Sequence, residues 1–404
     1  MGGRSGRKDG GRVAGWRGGG GWCRTLCHTT TLPLYLLVFI ACSGGSQTGS
    51  AAVTIDTLGN GAVVVHNPEH GLWDSASAWR IVPDLTIGRA EGSGPETFGQ
   101  VGAVAADRAG RIYVLDRQSQ EVRVFDSAGA FMRTIGRQGA GPGEFRGANG
   151  LALDRDGRLW VTDERLGRYD VFDTAGNVVA TYPRTTGSRG WTPSGRFVTS
   201  GERYDLVDLM WRGHYAMALA HYDTTAKGFV DTLVPPSPPT PPLFYEFRDA
   251  SGIGTMASVP YQANAVLRIG PRGNVWGGPI DGYRLLELNH RWDTVRVVER
   301  EYAPVPVTAT ERDSAIAGLV KLARGHKVDG SLIPSTKPPF QTFIVADDGS
   351  LWVFPTPVVG AHETPMDVFD RIGRFLGTLT IPGSVAYRLA AHPLVVRDGH
   401  AYAL

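Results

Sequence analysis

The stretch Ala105-Ala-Asp107-Arg-Ala-Gly110-Arg-Ile-Tyr-Val-Leu-Asp116 recurs 47 residues later as Ala152-Leu-Asp154-Arg-Asp-Gly157-Arg-Leu-Trp-Val-Thr-Asp163. The same offset lays Val124-Phe-Asp-Ser-Ala-Gly129 on Val171-Phe-Asp-Thr-Ala-Gly176, Gly94-Pro95 on Gly141-Pro142, and Phe98 on Phe145. One register held over about 80 residues marks a structural repeat.

Each copy reads as an antiparallel meander. Short alternating apolar runs are separated by Asp-Gly or Ala-Gly turns, where Gly supplies the positive φ of a hairpin. In the second copy the pattern predicts strands near 150–154, 158–162, 168–173 and 177–182. The turn glycine can be followed through Gly110, Gly157, Gly195, Gly273, Gly349 and Gly399. An apolar pair ending in Asp or Asn recurs at Phe125-Asp126, Phe172-Asp173, Tyr222-Asp223, Leu288-Asn289 and Phe369-Asp370. Four strands per repeat cannot bury both faces alone and must stack around an axis. The expected fold is therefore all-β, a six-bladed β-propeller. The sixth copy stops at Leu404, so its outer strands are expected from the N-terminal runs Gly61–His66 and Trp79–Gly88, which would close the ring.

Gly136-Arg-Gln-Gly-Ala-Gly-Pro-Gly-Glu-Phe145, followed by Gly150-Leu-Ala-Leu-Asp154 and Gly157–Asp163, resembles NHL repeats. Residues 53–404 are similar to secreted bacterial six-bladed propellers of that type. The motif is specific in the first two copies and degraded in the rest, so the resemblance implies a fold more than an activity.

Among 404 residues, 54 are Gly and 26 Pro, yet 42% hydrophobic content and ten Trp supply a core and exclude global disorder. The formal charge of +2 has no basic stripe behind it and gives no reason to expect nucleic acid. Most of the basic excess sits in front: Arg4, Arg7, Lys8, Arg12, Arg17 and Arg24 stand against Asp9 alone. Leu32–Ala41 is an apolar run too short to span a bilayer, and Cys42 follows it directly. This resembles the leader and lipobox of bacterial lipoproteins. It implies a signal peptide over 1–41, lipidation of Cys42, a tether over 42–52, and attachment to an envelope membrane. Ser43 after the cysteine implies the outer membrane. Removal of six bases and one acid would turn +2 into −3 and take away Cys23 and Cys27. No free thiol would then remain for disulfides, metal or catalysis.

Two insertions interrupt the repeat. Pro235–Pro242 holds six prolines in eight residues and is expected as extended chain. Residues 303–339 contain the one convincing helix, near 309–324, with a Thr308/Glu311 capping box and a stripe of Ile316, Leu319, Val320 and Ala323. It is expected to pack on the propeller surface. Both insertions fall between blades, on the face that also carries the loops between second and third strands. The candidate ligand residues are those of these loops: Asp116-Arg117, Asp163-Glu164-Arg165 with Arg168, Glu202-Arg203-Tyr204-Asp205, Asp281 with Tyr283-Arg284, and His362-Glu363. Asp116 and Asp163 repeat, which favours a structural task such as bonding turn amides. The unrepeated Arg165, Glu202, Arg203, Tyr204, Asp281, Arg284 and His362 carry the functional weight.

Other motifs fail on context. His66-Asn-Pro-Glu-His70 has zinc spacing, but Pro68 and the preceding valines deny it a helix. Gly139–Gly143 resembles a phosphate-cradling loop, yet neither Lys nor helix follows, and Gly92–Pro95 nearly copies it as an inter-blade connector. His214 and His221 are seven apart on a strand and face opposite ways. The inner strands Ala103–Asp107, Gly150–Asp154, Ala265–Ile269 and Phe343–Ala346 are apolar and poor in ligands, with Asn149 and Asn264 as exceptions near the channel mouth. No cofactor is therefore expected. The leading expectation is a binding or scaffold module for protein, peptide or glycan. The alternative is a lactonase- or lyase-type propeller enzyme holding a divalent cation on the axis.

Overall fold

The computed structural model describes residues 13–18, 52–74, 76–184, 196–199, 201–211, 214–233, 244–248, 254–263, 266–278, 282–323, 325–356, 363–382, 394–397 and 399–403. Five consecutive meanders form sheets in simple chain order. Blade one comprises Val101–Ala106, Ile112–Asp116, Glu121–Phe125 and Phe131–Ile135; blade two comprises Ala148–Leu153, Leu159–Asp163, Arg168–Phe172 and Val178–Pro183. Blade three is Arg196–Phe197, Glu202–Trp211, His214–Asp223 and Gly228–Leu233. Blade four is Val266–Ile269, Val275–Gly278, Arg284–Leu288 and Thr294–Arg300. Blade five is Phe340–Val345, Leu351–Pro355, Glu363–Phe369 and Phe375–Pro382. A sixth sheet joins both ends of the chain, in the order Val395–Arg397, His400–Ala403, Val13–Gly18 and Ile81–Ile87.

The apolar residues collect into one cluster per seam between neighbouring sheets. Tyr113, Leu115, Phe145, Leu159 and Phe172 fill the seam between blades one and two. Trp160, Tyr169, Phe197 and Tyr222 fill the next. Leu206, Leu219, Ile269 and Val275 join blades three and four, and Trp276, Leu285, Phe343, Leu351 and Phe369 join four and five. Trp352, Met366, Leu379, Leu394 and Ala401 bind blade five to the sixth sheet, and Ile87, Phe98, Val114 and Tyr402 bind that sheet to blade one. Face-to-face packing of alternating strands around an axis is a β-propeller.

Three expectations about the ring change. Val63–Asn67 does not join the last sheet; it runs parallel to Thr294–Arg300 and, with Thr54–Thr57, widens blade four to six strands. Its partner is set by His66, whose Nδ1 lies 3.1 Å from Glu299, and by Asn67, which donates to the Glu299 and Gly373 carbonyls. The chain then crosses blade five, where the Leu72 and Trp73 amides bond the Phe375 and Leu376 carbonyls. Gly71 makes that crossing: a Cβ there would overlap the Leu376 carbonyl. Only Ile81–Ile87 reaches the last sheet, and it does so through Val13–Gly18, a strand within the segment read as a leader. Pro83 is tolerated because that strand is the outer edge.

The third change concerns blade three. The hairpin joining its first two strands runs from Val198 to Glu202, whose backbones bond as do Asp107 with Arg111 and Asp154 with Arg158. Gly201, not Gly195, is the turn glycine; Gly195 itself lies outside the described residues. Gly195-Arg-Phe-Val imitates the repeat because the same residue types serve the start of a first strand.

The helix is Ala309–Ala323, and the capping box forms as expected: Thr308 N donates to Glu311 Oε2 at 3.0 Å and Glu311 N to Thr308 Oγ1 at 3.2 Å. Leu319 and Ala323 are buried, whereas Val320 of the expected stripe is exposed. The helix packs against the hairpin Phe244–Arg248 and Gly254–Ser258 through Tyr245, Phe247 and Val259, so helix and hairpin make one accessory module. The Pro-rich run 235–242 lies outside the described residues.

Candidate functional site

The recurring carboxylates are the frame of each blade. Asp107 and Asp154 each accept two turn amides through Oδ1 and an arginine Nε through Oδ2. Asp126, Asp173 and Asp370 each accept two amides of the next turn through Oδ1, and Asn289 takes their place in blade four. Asp116 accepts from the Gly99, Gln100 and Gln118 amides, and Asp163 from those of Arg146, Gly147, Arg165 and Leu166. Burial would raise the Asp116 carboxyl, but those amides and Arg123 outweigh it and hold it below the usual carboxylate range. These residues tie the loop after the second strand to the connector entering the blade, the structural task their repetition suggested.

The same bonds fix the faces. Arg117 N bonds Gln100 O, Glu164 N bonds Gly147 O and Thr356 N bonds Pro339 O, so second-to-third-strand loops and inter-blade connectors meet at one face. The accessory module lies between blades on that face. Gly139–Gly143 is one such connector, and its amides are already occupied: Ala140 N and Gly141 N donate to Glu144 Oε2 at 3.0 and 2.8 Å.

Three polar positions at which the 47-residue repeat is broken lie together at the channel mouth on this face. Asn149 stands where blade one has Gly102, Glu164 where it has Arg117, and Arg165 where it has Gln118. Asn149 Nδ2 donates to Glu164 Oε2 at 3.0 Å, and Arg117 Nη2 lies 3.9 Å from Glu164 Oε1. Gln120, at positive φ, receives the Ala148 amide on Oε1 and donates from Nε2 to Arg117 O. The exposed Arg165 lays its stem over Gly147, where a Cβ would collide with it.

The other candidates divide. Glu202-Arg203-Tyr204-Asp205 is not in a loop on this face; it begins the second strand of blade three at the opposite end, a consequence of the Gly201 turn. Arg203 is 2% exposed, donates to Asp205 Oδ1 at 2.9 Å, and covers the rings of Tyr169 and Phe197. Tyr169 donates to Asp205 Oδ2 at 2.6 Å. Burial disfavours the Arg203 charge, but Asp205 and then Tyr169 more than restore it, while burial and then Asp205 drive the Tyr169 hydroxyl far above its ordinary value. Tyr204 stacks on His221 at 4.5 Å, and Glu202 lies 3.7 Å from His221. Arg284 is exposed and donates to Glu299, and Tyr283 is buried with its hydroxyl on Asp367. Asp281, His362 and Asn264 lie outside the described residues, as do Cys42 and the side chain of His214. Among the described residues, no group of three or more His, Cys, Asp or Glu side chains could hold a metal ion, and no helix is long and apolar enough to cross a membrane.

Three arginines on or beside the inner strands escaped the sequence reading. The inner edge of a propeller blade has no neighbouring strand, so its carbonyls need other donors. Arg196 supplies them to Ile269 and Val345 in blades four and five and pairs with Asp347. Arg397 pairs with Asp347 at 2.6 Å and donates to the Ala106 carbonyl of blade one. This lacing lies at the face opposite the accessory module. Further along the channel, Arg268 donates to Leu267 O and to Thr342 Oγ1, both at 2.8 Å, and lies over Phe343. Burial lowers its guanidinium, and nothing offsets the effect. The available signal was a single charge in the otherwise apolar Ala265–Ile269.

The protein is a β-propeller. A family described as a 6-bladed beta-propeller matches residues 96–176. No curated protein matches the chain. Among solved structures, a putative exported protein from Bacteroides fragilis is similar at 13% identity, with 81% of this chain and 82% of that one covered and a TM-score of 0.45. A DUF4221-family member from Bacteroides vulgatus aligns at 10% identity, covering 75% and 91%, with a TM-score of 0.44. A catalytically inactive virginiamycin B lyase from Staphylococcus aureus with quinupristin aligns at 11% identity, covering 87% and 99%, with a TM-score of 0.36.

Proposed function

We propose that the protein is a binding module whose ligand site is the channel mouth on the accessory-module face. One observation carries the reading. Aspartates that repeat between blades one and two bond turns, whereas three polar residues that differ, Asn149, Glu164 and Arg165, gather with Arg117 and Gln120 at that mouth. A repeat keeps what its fold needs and departs where a site is built. The metal-dependent alternative is disfavoured on electrostatic grounds. Arg196, Arg268 and Arg397 stand along the axis against Asp347, an environment that repels a divalent cation.

The test is a screen of immobilised glycans and peptides on the folded protein, repeated with Glu164→Lys and with Arg272→Glu. Arg272 is exposed in a turn of the opposite face. Ligands retained by the wild type should weaken at least tenfold with Glu164→Lys and be unaffected by Arg272→Glu. Retention unaltered by Glu164→Lys refutes the site.

Exported, lipid-anchored attachment through Cys42 belongs to the same proposal and rests on the basic start, the Leu32–Ala41 run and the cysteine behind it. The NHL-like spacing of 136–163 and the Ser43 that favours an outer membrane fit that setting. Cleavage before Cys42 would withdraw Val13–Gly18 from between His400–Ala403 and Ile81–Ile87. Mass spectrometry of the N-terminus decides it: a diacylated Cys42 is expected, and an intact residue 13–18 peptide overturns the anchor.

A further inference from the structure

We infer that Arg268 is an anchor for the carboxylate of a small ligand entering the axial channel. The inference deepens the proposed binding role, since it names a ligand chemistry for the channel behind that mouth.

A guanidinium is always charged and carries five N–H donors in a rigid fork. Taking it out of water is expensive unless a counter-charge and acceptors receive it. Four other arginines withdrawn into the ring meet carboxylates: Arg203 meets Asp205, Arg300 meets Asp367, Arg123 meets Glu121, and Arg196 meets Asp347. Arg268 meets one backbone carbonyl and one hydroxyl, Leu267 O and Thr342 Oγ1, and among the described residues no carboxylate. Two of its donors are used, and no described acid compensates its charge. Burial depresses this guanidinium, whereas at Arg203 the Asp205 carboxylate and Tyr169 outweigh burial.

Arg268 joins blade four to blade five, and its position also admits a ligand. Arg268 is on the innermost strand of blade four, Val266–Ile269, whose free edge faces the axis. It is half-buried, so solvent reaches it. The next residue, Ile269, gives its carbonyl to Arg196, which closes ranks with Asp347 and Arg397 at the far face. A ligand entering from the accessory-module face would therefore meet Arg268 before that lacing.

The chemistry selects a monoanion. One unpaired guanidinium with a neighbouring hydroxyl offers a planar fork and a single extra donor, the complement of a carboxylate. The fork and single hydroxyl offer too few donors for the three oxygens of a dianionic phosphate, and Glu164 at the mouth would oppose its second charge. The Phe343 ring, with its centroid 5.9 Å from the guanidinium, is buried in the seam between blades four and five and holds the side chain in place.

The experiment is calorimetric titration of the full folded chain with benzoate, with acetate and inorganic phosphate as companion probes. Wild type should bind benzoate saturably at one site, acetate more weakly, and phosphate not at all. Arg268→Gln should weaken benzoate at least tenfold, Thr342→Val by about threefold, and Arg268→Lys should recover part of the loss. If Arg268→Gln fails to fold, the Arg268→Lys and Thr342→Val titrations decide: both must weaken benzoate, and unchanged affinity in both overturns the inference. Absence of saturable benzoate binding by wild type overturns it, as does equal affinity in wild type and folded Arg268→Gln. Phosphate binding as tight as benzoate overturns the carboxylate assignment. The two proposals fail separately. Benzoate binding that depends on Arg268, with retained ligands indifferent to Glu164→Lys, sinks the mouth and keeps the anchor. The opposite pattern sinks the anchor alone.

Discussion

Arg203 and Arg268 are both arginines drawn into the ring, and their surroundings are opposite. Arg203 lies in the seam between blades two and three, clamped by Asp205 and roofed by Tyr169 and Phe197. The clamp is a device of the fold, because it recurs between blades four and five. There Tyr283 and Arg300 both donate to Asp367 Oδ2, at 2.5 and 2.6 Å, and Arg300 covers Phe375 at 4.1 Å. Arg268 has the hydroxyl and the ring but lacks the carboxylate. A charge whose partner is built into the chain stabilises the fold; a charge without one is left for something outside it.

Breaking this contrast gives the largest effect. Arg203→Met strands the Asp205 carboxylate in a seam closed to water, and removal of one partner of a buried pair costs about 3–5 kcal/mol. Arg268→Met strands no carboxylate and should leave stability within about 1 kcal/mol of wild type. Urea midpoints of the two variants measure the difference; equal losses would erase the distinction.

The seam clamps can be probed more finely. Tyr169→Phe removes the hydroxyl donor from Asp205 and keeps the ring that packs with Trp160 and Tyr222. A hydrogen bond to a buried charge contributes about 1.5–3 kcal/mol. Tyr283→Phe should lose a similar amount at Asp367, since the geometry is repeated. Thr342→Val, beside Arg268, should cost no more than about 0.5 kcal/mol in the same assay. A Tyr283→Phe loss no larger than that of Thr342→Val would show that the recurrence is only geometric.

Period and turn chemistry made the blades legible. Strands of blade two fall where the Gly157 and Gly176 turns place them, because hairpin register is a local property. The capping box of the helix was legible for the same reason. What failed was non-local or degenerate. Gly195 and Gly201 sit six residues apart in similar company, and only pairing across the sheet shows that Val198–Glu202 is the hairpin. That slip put Arg203 and Glu202 on the wrong face. Val63–Asn67 has the composition of any edge strand, and its choice of blade four rests on Asn67 and Glu299, 232 residues apart. The clamps join Tyr169 to Asp205 and Tyr283 to Asp367 across separate repeats, where spacing carries no information. Arg268 was visible as a charge, but the lack of a counter-charge is a fact of three dimensions.

Acid stability offers the smallest and most selective probe of built-in against unpaired charge. Asp116 is buried, and the Gly99, Gln100 and Gln118 amides with Arg123 overcome the effect of burial to depress its carboxyl. A depressed folded value means that the contribution is fully present above the unfolded value, near 3.9. It is lost as pH falls through the lower folded value. Asp116→Asn turns amide hydrogens toward amide donors and should cost about 1–2 kcal/mol at pH 7. The gap from wild type should narrow below about pH 4, where the wild-type carboxylate takes up its proton. Arg268→Gln should not change the acid limb at all, since a guanidinium does not titrate there and no carboxylate is held low by this one. Midpoints of urea unfolding between pH 3 and 7 separate these outcomes. A steeper or shallower acid limb in Arg268→Gln would reveal a carboxylate paired with Arg268, and with it a built-in partner that makes the channel arginine another clamp.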